Sequence, residues 1–119
     1  MLEAPGFGRI VFEGRVYDHD IVVCRGSVAP RRKDLSAKRR SVYGHTPLTR
    51  DELEKYLSEC PEVDTLVIAA GYYGDLPIEP DAIVFALKHL ERVLIVKTVD
   101  LPKLGIDLGR ALVLVHVTC

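Results

Sequence analysis

Two almost uninterrupted apolar runs constrain this chain more than any other feature. They are Thr65-Leu66-Val67-Ile68-Ala69-Ala70 and Ala111-Leu112-Val113-Leu114-Val115-His116-Val117. A strand with one face in water alternates apolar and polar residues, whereas a run that is apolar at nearly every position needs cover on both faces. Val93-Leu94-Ile95-Val96 has the same character and reads as a further buried strand. A sheet with layers on both sides is therefore the first requirement on the fold.

The segments between these runs carry helical signals. Thr49-Arg50-Asp51-Glu52 is a capping box: the Thr49 hydroxyl accepts from the Glu52 amide, and the Glu52 carboxylate returns to the Thr49 amide. Leu53, Tyr56 and Leu57 then share one face, and Pro61 stops the helix. Pro80 suits the first turn of a second helix, with Ile83, Leu87 and Leu90 on one stripe and Val84 beside them. Leu101 to Arg110 contains Pro102, Gly105 and Gly109, which predicts at most a short irregular helix.

Upstream, Arg9-Ile10-Val11-Phe12 and Arg15-Val16-Tyr17 flank Glu13-Gly14 and read as a hairpin; Ile21-Val22-Val23-Cys24 is another strand. From Arg25 to Pro47 there is no sustained period, and Arg25, Arg31, Arg32, Lys33, Lys38, Arg39 and Arg40 face a single acidic residue, Asp34. So long a loop is usually functional or flexible. Strands alternating with helices predict an α/β domain with parallel strand pairs, helices packed on the sheet, and the hairpin as a smaller β layer or an edge. The 119 residues show no linker or repeat and are expected to form a single domain over 1–119.

The net charge of −1 supplies no global field toward nucleic acid or membrane, and no apolar run reaches membrane-spanning length. The N-terminus lacks a basic region followed by an apolar stretch, so a cytoplasmic location is expected. Cys24, Cys60 and Cys119 cannot all pair and form no Cys-x-x-Cys, which predicts reduced thiols and a fold needing neither disulfide nor metal.

Two features invite a ligand. Gly71-x-x-Gly74 follows a strand and could present amides to an anion, though Tyr72 and Tyr73 fill the turn, Pro77 and Pro80 delay the helix, and a third glycine is missing. The basic loop could grip phosphates, but Tyr43 is its one aromatic, too few for a nucleic-acid stacking surface. His116 and Cys119 point to opposite faces of a strand and do not make a metal site. No cofactor is expected.

Several fragments together resemble one family: Phe7-Gly8, Tyr17-Asp18-His19-Asp20, Arg31-Arg32-Lys33, Gly44-His45-Thr46-Pro47, the helix around Glu52-Leu53, Gly71-Tyr72-Tyr73-Gly74 and the ending His116-Val117-Thr118-Cys119. It is the uncharacterised-domain family that includes the mammalian adipogenesis-associated protein and a mitochondrial assembly factor for respiratory complex I. The resemblance implies a three-layer α/β domain with a mixed central sheet, flanking helices and an additional N-terminal β layer. It also implies assembly or regulation rather than a defined reaction. The chain departs from the pattern at Ala69, where many relatives carry glycine, and in the connector Leu101-Pro102-Lys103-Leu104-Gly105.

Two functions follow. The first is a non-enzymatic interaction or assembly module with a protein partner; no complete catalytic signature is present. The second is a small-molecule or anion-binding domain, with enzymatic activity left open. Its pocket would gather Arg31, Lys33, His45, Gly71, Tyr72 and Gly74, with His45 as candidate acid or base.

Overall fold

The computed structural model describes residues 1–119. In chain order its elements are β1 (Leu2–Gly6), β2 (Arg9–Phe12), β3 (Arg15–Tyr17), β4 (Ile21–Cys24), β5 (Ser27–Pro30), α1 (Arg40–Tyr43), α2 (Arg50–Glu59), β6 (Thr65–Ala70), α3 (Pro80–His89), β7 (Arg92–Val96) and β8 (Ala111–His116). Single 3-10 segments at Lys33–Arg39, Thr98–Lys103 and Leu108–Arg110 complete it. No helix is long and apolar enough to cross a membrane.

The two apolar runs become β6 and β8, adjacent and parallel, with Ile68 opposite Leu114 and Ala69 opposite Val115. Every residue of both strands is buried. They sit inside a five-stranded sheet of order β5-β4-β8-β6-β7, in which β6 pairs parallel with β7 while β4 runs antiparallel to β8. Side chains alternate between two cores. Val22, Leu66, Ile68, Leu112 and Leu114 face the helices, meeting Leu53 and Tyr56 of α2 and Ala82 and Ala86 of α3. Ile21, Val23, Val67, Val113 and Val115 face the antiparallel layer β1-β2-β3, meeting Ile10 and Phe12, with Leu101 of the Thr98–Lys103 segment. The expected three layers and mixed sheet are thus present.

Local chemistry explains the turns. Glu13 and Gly14 both have positive φ, 51° and 77°, as the tight β2–β3 connection requires. Arg25 and Gly26 repeat this at 49° and 90°, turning β4 into β5. The segment from Arg25 to Pro47 therefore contains a strand, a 3-10 segment and the short α1, contrary to the featureless loop expected from its lack of period.

Three further expectations are corrected. First, Cys24 and Cys60 are joined by a disulfide that ties β4 to the end of α2, and only Cys119 is free. The residues lie 36 apart, with no spacing motif to announce the pair. Second, α3 faces the sheet with Ala82 and Ala86, not with the Ile83-Leu87 stripe; Leu87 is 59% exposed and Val84 50%. Small side chains let the helix approach the sheet closely, leaving the larger ones outside. Third, β7, expected to be a buried strand, lies at the edge of the sheet, and its Ile95 is 47% exposed.

Candidate functional site

The sequence-predicted cations lie near the carboxyl ends of the parallel strands, the place where open α/β sheets usually hold ligands. Here the charges are satisfied internally. The Arg31 side chain, 1% exposed, donates from Nε to Glu52 Oε2 at 2.8 Å and from Nη2 to Glu52 Oε1 at 3.1 Å. Its Nη1 donates to Asp20 Oδ2 at 3.1 Å, and Nη2 also reaches the Pro47 carbonyl at 2.8 Å. Burial alone would lower the Arg31 pKa; Glu52 and Asp20 outweigh it and hold the guanidinium firmly protonated.

Glu52 is the hub of this cluster and is fully buried. Ser36 donates to its Oε1 at 2.6 Å, and the Tyr56 hydroxyl donates to Oε2. Only half of the capping box survives: the Thr49 hydroxyl accepts from the Glu52 amide at 3.3 Å, while the Thr49 amide donates to Ser36 Oγ instead. Burial, followed by the charge of Glu52, pushes the Tyr56 hydroxyl far above its ordinary pKa. No buried side-chain donor or acceptor in the chain lacks a partner.

Asp20 links this cluster to the last strand. Its Oδ2 lies 2.7 Å from His116 Nδ1, and its Oδ1 accepts from the Val117 amide at 2.9 Å. Burial raises the Asp20 pKa, but the hydrogen bond and charge of His116, the Val117 amide and Lys33 together lower it to about 2. His116 Nε2 is 3.2 Å from Thr118 Oγ1. Carboxylate, imidazole and hydroxyl in line could orient a base toward an alcohol. None of the three main cavities is lined by these residues, and Asp20 Oδ1 and Thr118 tie the line to the C-terminal segment.

None of the remaining predicted site residues lines any of the three main cavities. Lys33, with its side chain 52% exposed, lies 3.7 Å from Asp20 Oδ2. His45 is exposed on the loop before α2. Gly71 is buried at φ +97°, where a Cβ would come within 2.2 Å of the Cys119 carbonyl carbon. The amides of the Gly71–Gly74 turn are engaged by the chain itself: Tyr72 donates to the Thr118 carbonyl and Asp75 to that of Cys119, both at 2.8 Å. The Tyr72 hydroxyl donates to the Arg9 carbonyl at 2.6 Å, and exposed Gly74 packs beside Lys97. The turn is a latch for the last residues, not an anion cradle.

Most of the remaining basic loop is paired in place, Arg40 excepted. Arg25 pairs with Glu62, Arg32 with Asp34, Lys38 with Asp51 and Arg39 with Glu79. Asp20 and Glu52 were missed as partners because nothing local marks them. The one available signal was Glu52 in the capping box, read there as a backbone partner.

Two of the open surfaces bear on function. A groove of about 730 Å³ runs between β5 and α2, lined by Val22, Cys24, Ala29, Tyr56, Cys60 and Leu112 among others, with the disulfide in its wall and Arg25 and Arg32 at its rim. The second surface is apolar: Val84 and Leu87 on α3, Ile95 on the β7 edge, and Val99 at 44% exposure just beyond it.

These features define a class: an α/β domain in which a three-stranded antiparallel layer and two longer helices enclose a mixed five-stranded sheet, its polar interior self-satisfied. The chain belongs to the same family as the conserved hypothetical protein PH1505 from Pyrococcus horikoshii OT3, with 31% identity and a TM-score of 0.83 over 100% of this chain and 99% of that one. It is also similar to the solved protein MT938, at 31% identity and TM-score 0.71, over 100% of this chain and 98% of that one. No family model and no curated protein matches the chain.

Proposed function

We propose that this chain is a non-enzymatic interaction or assembly module that docks a protein partner along β7 and α3. One observation carries the reading: Val84 and Leu87 on α3, Ile95 on the edge strand β7 and Val99 just after it stay exposed, while the buried polar side chains are all paired. Exposed apolar side chains and an open sheet edge are what protein docking uses. The resemblance to the family containing the adipogenesis-associated protein and the complex I assembly factor supports the same role. Pairing of most of the loop cations argues against nucleic acid as the partner. A cytoplasmic location belongs to this proposal; the Cys24–Cys60 disulfide, uncommon in reducing compartments, weighs against it.

The test is differential capture from a lysate of the native source, with mass spectrometry of the bound proteins. Leu87→Glu and Ile95→Lys should each lose partners that the unaltered chain retains, with circular dichroism melts unchanged. Identical capture by all three proteins would refute the docking face.

A second reading is favoured by the groove beside the disulfide, whose volume falls within the range of small-molecule sites. Its rim cations are already paired with Glu62 and Asp34, so a largely apolar molecule fits it better than an anion. Native mass spectrometry of the purified chain would show such a molecule as an added mass.

A further inference from the structure

β7 is the last strand of the five-stranded sheet, so the backbone groups along its outer side have no partner in the sheet. Edge strands are normally protected by short length, proline, inward-pointing charge or a covering element. The opposite edge, β5, ends in Pro30 and carries one large apolar side chain, Val28. β7 lacks such protection: Arg92 is followed by Val93, Leu94, Ile95 and Val96, with no proline. We propose that β7 pairs antiparallel with the β7 of a second copy of this chain, joining the two sheets into one. The inference rests on the reading of β7 and α3 as a docking face and names the occupant of that face.

The sequence around β7 selects a register. A two-fold axis perpendicular to the sheet must bring together side chains from the same face, so it passes through a single residue. With the axis at Leu94, all five strand residues pair: Leu94 with itself, Val93 with Ile95, and Arg92 with Val96. Just beyond the strand, Glu91 then stands opposite Lys97, and symmetry repeats the pair. An axis at Val93 sets Glu91 against Ile95, and one at Ile95 sets Lys97 against Val93. Opposed charges occur in the first register and in neither of the other two. Glu91 and Lys97 are both exposed, and neither belongs to any ion pair within the chain.

The apolar surface fits the same geometry. Val93 packs with the helical-face core, and Ile95, two residues on, shares that face. Pairing Val93 with the partner's Ile95, and the reverse, covers the most exposed side chain of the strand interior. α3 packs on β7 from that face, and its Leu87 and Val84 stay exposed on the helix.

The experiment is sedimentation velocity on the full chain over a concentration series, with Glu91→Lys, Lys97→Glu and the double exchange. The unaltered chain should dimerise. Each single change turns two attractive cross-strand pairs repulsive and should raise the dimer Kd by about tenfold, while the double exchange should restore it. Melts monitored by circular dichroism at concentrations well below the dimer Kd, where every variant is monomeric, should not move, since both side chains are exposed. A monomer at concentrations up to about 1 mM overturns the proposal. So does a dimer indifferent to the single changes, or one that the double exchange fails to restore. If the chain is monomeric while Leu87→Glu and Ile95→Lys still lose a captured partner, the second copy is refuted and the docking face stands. If capture is also unaffected, both fall.

Discussion

Arg31 was expected at the surface of a ligand site and is instead the cation that neutralises two buried carboxylates. Removing it leaves Glu52 without a counter-ion, while Asp20 keeps His116, the Val117 amide and Lys33, and Arg31→Ala should cost about 3–5 kcal/mol in a urea melt. Lys33→Ala should cost less than about 1 kcal/mol, because its ammonium is half exposed and 3.7 Å from Asp20. Equal losses would contradict this division of roles. Asp20 adds a pH signature. Its carboxyl pKa is lowered from 3.8 to about 2, so the stabilisation is present above the unfolded value and lost as pH falls through the folded one. Between about pH 5 and pH 2 the chain should lose roughly 2 kcal/mol through this group. Asp20→Asn should flatten that part of the stability profile; an unchanged acid limb would show that Asp20 is not its source. The importance of Arg31 was legible in its motif, but its direction was not. Its partner Asp20 also holds His116, which is 96 residues away in sequence.

At the scale of elements, the same turn chemistry was read at Glu13-Gly14 and passed over at Arg25-Gly26, although both adopt positive φ at both positions. Dense positive charge after Arg25 obscured a short hairpin strand whose only large apolar residue is Val28. In α3 the large apolar stripe suggested the buried face, yet close approach to the sheet selected the alanines. The disulfide is the element-level feature with the largest expected energy. Closing a loop across 36 residues constrains the unfolded chain by about 3–4 kcal/mol. Urea melts with and without reductant, repeated on Cys24→Ala/Cys60→Ala, should show a drop of that order. An indifferent melt would mean that the bond contributes nothing.

On the scale of the whole molecule, two cores share one sheet. Adjacent residues of β6 serve opposite layers: Val67 packs toward the antiparallel β layer and Ile68 toward the helices. Damage on either face should therefore propagate through the same strands. Ile68→Ala should cost about 2–5 kcal/mol, and unfolding should remain a single transition by far-ultraviolet and near-ultraviolet circular dichroism. Two separated transitions would show that the layers are independent.

Local rules were enough for much of this architecture. Continuous apolar runs need cover on both faces, a hydroxyl before a helix caps it, and a proline ends it; each rule acts within a few residues. Those rules located the central strands β6 and β8, helix α2, the β2–β3 hairpin and the irregular stretch after β7. They could not assign partners. Which carboxylate meets Arg31, which cysteine meets Cys24, and whose carbonyls occupy the amides after Gly71 all depend on atoms brought together from distant parts of the chain. The same holds for β7, whose apolar sequence suits a central strand equally well. Its place at the edge comes from strand order: β4 and β8 fill the other side of β6, and no strand remains to pair with β7.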